Sequence, residues 1–525
     1  MRYDGNWTIA ELVDDRAERW PDEVAVNSER GDLTFGALRE RARSVAAGLR
    51  ELGVAPGDRV ATMLDSTNDY LAAWQGIAWA GAIDVPINVE LKATFLQHVL
   101  GDSGARVLIV EARWAERLEG LVLPELEHVV TIEAPTGALA GRTLHRFEQL
   151  LELPGADLVR RDRSDPVYVL YTSGTTGPSK GVVHTNGSAC WLTQGYLENL
   201  DLGRDDVGYS MFPLNHVMGR GAMATTALWA GCRMVLRERF SASGFWDDIR
   251  GTGTTYFGYF GAVILFLWRQ EWRADDADNP VRLAFGASAP PELMDGWEER
   301  FGLDLCEVYG STELGLVACP RAGRRKPGTM GRPVSYLELE IHGDDDRPLP
   351  AGEIGQIVAR PRHPEACFAG YWNRPEWTLE VFRNLWFHAG DAGSIDEEGY
   401  LTFSDRLKDS IRRRGENISS FEVEEAVRTH DNVVECAAYP APSDHGDDEV
   451  MIAVILERPD DFDPERFCHD LVEIIPRYAV PRYIRIVEEF PKTPTQRIQK
   501  FKLRDEGVTE DTVDREALGV VPGRE

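Results

Sequence analysis

The stretch that most constrains the fold of this 525-residue chain is residues 167–182, Val-Tyr-Val-Leu-Tyr-Thr-Ser-Gly-Thr-Thr-Gly-Pro-Ser-Lys-Gly-Val. An apolar strand runs straight into a loop dense in glycine and hydroxyl residues and carrying one lysine. Gly174, Gly177 and Gly181 let the backbone turn its amides toward one point. Ser173, Thr175 and Thr176 add hydroxyl donors, and Lys180 adds a compact positive charge. The ligand suited to such a loop is an anion, above all a phosphate. The spacing is not the Walker pattern, which needs the lysine directly after the last glycine.

The segments before this loop alternate between two periods. Thr34 precedes a helical pattern that puts Leu38, Ala42, Val45, Ala46 and Leu49 on one face. A short apolar run at 60–64 precedes a second helical stretch at 70–80 and a strand-like run at 83–86. Residues 105–110, Ala-Arg-Val-Leu-Ile-Val, repeat the buried-strand composition. Strand and helix in alternation predict parallel sheets covered by helices. The character changes near residue 405, where a glycine-rich, acidic stretch gives way to the basic run Arg412-Arg413-Arg414-Gly415. Beyond it Ser419 is placed to cap a helix through Phe421, Val423 and Val427, and strands are expected at 433–439, 450–456 and 483–487. The expected division is therefore 1–404 and 405–525.

Composition limits the partners. The formal net charge of -30 disfavours nucleic acid or an anionic membrane surface as the main partner, since both would repel the chain. No apolar run is long enough to span a bilayer, and residues 1–15 show neither a signal-peptide nor a transit pattern, so a cytoplasmic location is expected. The seven cysteines are scattered with no close pair, which points to free thiols rather than a disulfide framework or a zinc site.

The loop at 171–182 resembles the phosphate loop of the adenylate-forming superfamily, which includes acyl-CoA synthetases, amino-acid adenylation domains and beetle luciferases. Further motifs of that family recur in its order across nearly the whole chain. They are Tyr309-Gly310-Ser311-Thr312-Glu313, Gly328-Thr329-Met330-Gly331-Arg332-Pro333, Gly390-Asp391, and a hinge segment with Arg406, Lys408 and Gly415. The resemblance implies an α/β fold. Its large N-terminal domain would have stacked parallel-type sheets covered by helices plus a β-barrel-like subdomain, followed by a small mobile α+β C-terminal domain that turns about Lys408.

It also implies roles. Thr172, Ser173, Gly174, Thr175, Thr176, Gly177 and Lys180 would hold ATP phosphates, with Glu313 and Thr176 on Mg2+. Tyr309 would lie against the adenine, the strand end Gly286-Ala287-Ser288-Ala289 would line both the adenine and the acyl group, and Glu307, Gly310 and Thr312 would belong to the nucleotide-binding set. Asp391 and Arg406 would meet the ribose. His216 matches a gating residue beside the acyl carboxylate and the thiol tunnel. Trp191, Gly219, Phe257, Gly258, Gly261 and Gly286 fall in the stretches that line the acyl pocket; the aromatic run with interspersed glycines at 256–262 suits a bulky or cyclic acid. Gly415 would line the pantetheine tunnel, Glu416 would belong to the CoA-binding set, and Arg412, Arg413 and Arg414 are placed to meet CoA phosphates. Amino-acid adenylation domains place an aspartate near His216, and this chain has no acid between Ser210 and Leu228, which argues against an α-amino acid substrate.

One motif departs from the family. The string that carries the adenylation lysine reads Pro491-Lys492-Thr493-Pro494-Thr495-Gln496-Arg497-Ile498-Gln499-Lys500 here, with Arg497 at the lysine position. A planar guanidinium does not replace a point charge at a site that works by positioning. Because this lysine serves only the first half-reaction, the expected consequence is selective: adenylation impaired and thioester formation intact, with a separate enzyme upstream supplying the adenylate. Against this stand the readings that Arg497 suffices, or that Lys500 or Lys492 reaches in. Three functions stay open: an acyl-CoA ligase using ATP or acyl-AMP, CoA and Mg2+; an activating enzyme that loads a carrier protein; and a non-catalytic adenylate-binding scaffold. The chain is expected to act on a small carboxylic acid as a monomer or homodimer.

Overall fold

The computed structural model describes residues 7–134, 142–172, 178–289, 293–406, 410–414, 416–443, 447–491 and 498–520. Two large sheets dominate the part before residue 310. One has seven strands in the order Asp304–Glu307, Leu283–Ala287, Tyr256–Phe260, Val207–Ser210, Arg233–Leu236, Val24–Ser28, Gly31–Thr34, parallel except for the last pair. The other has eight strands in the order Gly370–Tyr371, Lys180–Thr185, Pro166–Thr172, Ile83–Pro86, Arg59–Met63, Val107–Glu111, His128–Ile132, Thr143–Arg146. Its run from Pro166–Thr172 onward is parallel, whereas Lys180–Thr185 returns antiparallel with Thr172 opposite Lys180. The chain thus leaves the strand and comes back as its neighbour, so the phosphate loop connects two strands and does not open a helix.

The second sheet is buried on both faces. Val60, Val107 and Ile109 join the main apolar core, while Ala61, Leu108 and Val110 pack into a separate cluster on the other side. Sheets covered on both sides need continuous apolar strands, which is why these segments read as unbroken runs. The helix Phe35–Glu51 is capped by the Thr34 side chain, which accepts from the Ala37 N–H, and its buried face includes Leu38, Ala42, Val45, Ala46 and Leu49 as the period predicts. Helix Asn68–Trp79 is mostly apolar and is buried at every position from Tyr70 to its end.

Residues 309–406 form antiparallel structure, the barrel-like part: Leu337–His342, Gly355–Pro361, Trp386–Ile395 and Leu401–Arg406 in one sheet, and Tyr309–Ser311, Gly315–Cys319 and Arg332–Pro333 in another. After residue 410 come the hairpin Ser410–Arg413 and Glu416–Ser419 and a sheet in the order Val433–Pro442, Asp448–Leu456, Tyr483–Ile486, Thr512–Asp514. The first two strands of that sheet are longer than expected because their antiparallel pairing continues through Ala441 and Glu449. Ser419 caps the helix Ser420–Arg428 by accepting from the Glu422 N–H. The apolar residues of this C-terminal part form their own clusters, around Ile411, Val423, Val454 and Phe467 on one side and Tyr439, Met451 and Leu503 on the other.

Candidate active site

Ends of strands from both large sheets meet the C-terminal part at a cleft. A cavity of about 110 Å3 there is lined by Thr172 and Ser179 on the shoulders of the phosphate loop, by Asn215 and His216, by Thr312, and by Glu416, Glu422 and Tyr478. His184, in the strand that leaves the loop, fixes this geometry. Its Nε2–H donates to the Thr312 carbonyl at 2.7 Å, and burial pushes its pKa down to about 4. Thr312 and Glu313 are thereby tied to the strand that starts at Lys180.

Tyr371 gathers the groups expected at the triphosphate. Its hydroxyl donates to Glu313 Oε1 at 2.8 Å, and the Lys180 ammonium lies 5.3 Å from its ring centre and 4.8 Å from that of Trp377. Among the described residues no group of three or more His, Cys, Asp or Glu side chains is placed to hold a metal by itself. One carboxylate beside a phosphate site does fit Mg2+, which takes few protein ligands and completes its shell with phosphate oxygens and water.

Tyr309 and Asp391, both expected at the nucleoside, are in contact: the buried Tyr309 hydroxyl donates to Asp391 Oδ2 at 2.6 Å. Gly390 has φ +76, a left-handed conformation that a side chain would strain, so the motif's glycine is needed to aim Asp391. Glu307 is a correction. Its carboxylate accepts from the Ser288 N–H at 2.9 Å, the Ala289 N–H at 3.0 Å and the Tyr259 hydroxyl at 2.7 Å. Both oxygens face protein donors, so Glu307 supports the strand end 286–289 instead of touching a nucleotide. Gly261 and Gly286 allow these strand ends to approach: a Cβ on Gly286 would lie 2.0 Å from the Tyr259 carbonyl oxygen, and one on Gly261 would lie 1.9 Å from that of Ser288.

His216 lines a second cavity as well, of about 190 Å3, bounded by Phe212, Phe240, Phe260, Ala262, Arg414 and Glu416 among others. Burial and the nearby Arg412 push the imidazole pKa down to about 4, so the ring is neutral at pH 7. Its Nδ1 accepts from the Met218 N–H at 3.2 Å, which leaves the proton on Nε2. The Arg412 guanidinium lies 5.6 Å from the Phe260 ring centre. Burial raises the Glu416 pKa to about 7, with Glu90 adding to the shift. Gly219 and Gly258 are packed into this region, against Pro213 and against Phe212 and Met223.

Three further expectations are corrected. Phe257 turns away from Gly258, as alternate residues of a strand must, and packs edge-on against Phe245 in the core at 5.1 Å between centroids. Trp191 is stacked on His363 at 4.8 Å and donates to the Pro364 carbonyl, and it lines neither of the two cavities around His216. Arg413 is buried within the C-terminal part, 2.6 Å from Glu449 Oε2, and so is not presented to a CoA phosphate. Ser173, Gly174, Thr175, Thr176, Gly177, Lys408, Gly415, Lys492 and Arg497 lie outside the described residues, as does the side chain of Arg406. Lys500 is held locally by Glu424 Oε1 at 2.6 Å and the Ser420 hydroxyl at 2.9 Å. Sequence reasoning passed over His184 and Tyr371. His184 stands out only as a polar residue within an apolar strand, and Tyr371 lies 58 residues from the glutamate it binds.

Residues 13–372 match the family described as AMP-binding enzyme, and residues 422–497 its C-terminal domain. A feruloyl-CoA synthase from Amycolatopsis is 31% identical over 506 residues, covering 95% of this chain and 98% of that protein. A sulfoacetate–CoA ligase from Cupriavidus necator is 31% identical over 510 residues, covering 94% and 97%. The solved structure of an amide bond synthetase from Marinactinospora thermotolerans aligns with TM-score 0.83 at 26% identity, covering 95% of this chain and 99% of that one. The family matches and the relatives agree with the fold, and the chain belongs to the AMP-binding, adenylate-forming enzyme family, in its acyl-CoA ligase branch.

Proposed function

We propose that this chain forms the CoA thioester of a small carboxylic acid that is not an α-amino acid, and that thioester formation is the half-reaction it runs best. It is an acid–thiol ligase of the AMP-forming type, using ATP, CoA and Mg2+. The observation that carries the proposal is that His216 and Glu416 line both cavities. One cavity reaches the phosphate-loop shoulders and Thr312, and the other is lined by Phe260 and Arg414 among others. This suits an adenylate on one side of His216 and a thiol arriving from the other. The CoA sulfur adds to the acyl carbonyl, the bond to the AMP oxygen breaks, and the thiol proton is released. In this reading the loop amides, Ser173, Thr175, Thr176 and Lys180 hold phosphate, and Glu313 and Thr176 hold Mg2+. Tyr309 lies on the adenine, and Asp391 and Arg406 hold the ribose. Arg412 and Arg414 face the CoA phosphates, and neutral His216 gates the passage.

The domain boundary belongs at about residue 405, with Lys408 as the hinge about which residues 405–525 rotate between half-reactions. Arg497, in place of a lysine, weakens adenylation, because about an ångström of misplacement costs on the order of 100-fold in rate. The paired assay is ATP–pyrophosphate exchange with a panel of acids, beside thioester formation from synthetic acyl-AMP and CoA. Thioester without exchange, with exchange restored by Arg497→Lys, is expected. Robust exchange by the unaltered enzyme would refute impaired adenylation. Product only with a carrier protein would refute CoA as acceptor. Adenylate binding with no product would favour a scaffold.

A further inference from the structure

The segment that carries His216 is anchored by an ion pair with almost no solvent exposure. Arg220 and Asp84 have side-chain exposures of 0% and 1%, and Nη2 lies 2.6 Å from Oδ2. Asp84 also accepts from the Thr62 hydroxyl at 2.8 Å. The guanidinium stands 4.3 Å from the Trp74 ring centre and donates from Nη2 to the Tyr70 hydroxyl at 3.3 Å. A buried pair of this kind is often no more stabilising than apolar residues of the same volume. Its place in the chain gives it another use.

Arg220 holds the chain at His216 and two residues before it. Its Nε donates to the Leu214 carbonyl at 2.9 Å, and its backbone N–H donates to the His216 carbonyl at 2.9 Å. The Leu214 N–H donates in turn to the Ser66 hydroxyl at 2.9 Å. The residues that follow, Met218–Thr225, form a π-helix, an unusual winding that often marks functional sites. The Thr225 hydroxyl accompanies that turn by donating to the Arg220 carbonyl at 2.8 Å. Asp84 lies in the strand Ile83–Pro86, opposite Tyr168 in the strand that enters the phosphate loop. The segment containing His216 grows from one sheet, and Asp84 belongs to the other. We propose that the Arg220–Asp84 pair positions His216, locking its segment to the sheet that carries the phosphate loop and so fixing where the imidazole stands between the two cavities. This rests on the reading of His216 as the group between adenylate and thiol, and the test separates the two ideas.

The full-length enzyme is compared with Asp84→Leu/Arg220→Met, which replaces both charges, and with Arg220→Lys, which keeps the charge and loses the fork that also holds Leu214. Three quantities are read: the unfolding temperature, the His216 ring resonances in histidine-labelled protein (assigned with His216→Gln), and the rate of thioester formation from acyl-AMP and CoA. The double variant is expected to unfold near the parent temperature, with shifted His216 resonances. Its kcat is expected to be about 10- to 100-fold lower with little change in KM for CoA, since position and not thiol binding is lost. Arg220→Lys is expected to lie between the two. Unmoved His216 resonances in a folded double variant would overturn the proposal whatever the rate does. If the double variant does not fold, Arg220→Lys decides by the same criterion. His216→Ala is run alongside. If it leaves the thioester rate intact, the role given to His216 fails, while the resonances still decide whether the pair sets its position.

Discussion

Arg412, Arg413 and Arg414 stand side by side with different surroundings. Arg412 lies over the Phe260 ring beside the His216 cavity, and its backbone N–H donates to Asp448 Oδ2 at 2.9 Å. Arg413 points to the opposite face of its strand, where Nε lies 2.6 Å from Glu449 Oε2 and Nη1 donates to the Tyr478 carbonyl at 2.9 Å. Burial lowers its pKa, and the Glu449 carboxylate offsets part of that effect. Arg414 is exposed, with φ +52. Removing one partner of a buried ion pair costs about 3–5 kcal/mol when the other charge is left uncompensated, an upper limit here because Arg482 Nη1, 3.7 Å from Glu449 Oε1, remains. Arg413→Ala is therefore expected to destabilise the C-terminal part by up to about that amount, read as faster amide hydrogen exchange across Val433–Pro442 and Asp448–Leu456. Arg414→Ala is expected to leave that exchange unchanged and to raise KM for CoA. Unchanged exchange in Arg413→Ala would refute the structural role. A run of three basic residues reads as a solvated turn, and nothing in it says which one turns inward. The partner that decides this is Glu449, in a different strand.

At the scale of elements, the legible features were those set by local periodicity and capping. Thr34 and Ser419 cap the helices they precede, and the strand Ile83–Pro86 lies where its composition put it. The obscure features depended on which neighbour a strand finds. The return of the chain as Lys180–Thr185 beside Pro166–Thr172 places His184 against Thr312, a contact across 128 residues that no local pattern announces. Phe257 was misplaced because an aromatic run shows neither its register nor its faces, and a shift of one residue exchanges pocket for core. His184 carries a prediction on this strand. Its pKa falls from the ordinary 6.5 to about 4 in the folded chain, so the unfolded chain binds the extra proton between those values. Stability present above pH 6.5 is thus lost as pH falls toward 4, by up to about 3 kcal/mol from this residue. His184→Gln keeps a donor for the Thr312 carbonyl and cannot take up that proton. Its stability is expected to be lower than the parent's at pH 7.5 and to decline less steeply between pH 6.5 and 4.5, measured by denaturant unfolding. An equally steep acid decline would count against His184 as a source of acid sensitivity.

At the scale of the whole molecule, the cleft joins two parts through groups that are poorly hydrated in this arrangement. Glu416 and Glu422 both belong to the C-terminal part, and burial raises each pKa from 4.5 to about 7; Glu90 adds to the shift at Glu416, and a backbone hydrogen bond from Ser179 opposes it at Glu422. Lys92 Nζ donates to the Val472 carbonyl at 3.2 Å and Asn88 to the Tyr478 hydroxyl at 3.5 Å across this edge, and Phe95 packs against the apolar cluster of the C-terminal part. If rotation about residue 408 carries these carboxyl groups into water, they return to ordinary values near 4.5. The arrangement seen here then holds up to two more protons than the rotated one between pH 4.5 and about 7. Raising pH through that window should disfavour it progressively, and above about pH 7 the dependence should level off. The expected observation is a fraction in this arrangement, followed by fluorescence transfer between labels on the two parts, that falls from pH 5 to 7 and is flat beyond. Glu416→Gln/Glu422→Gln should remove most of the slope by holding both positions neutral. A fraction independent of pH in the unaltered enzyme, or a slope that survives the double substitution, would show that these carboxyl groups do not govern the rotation.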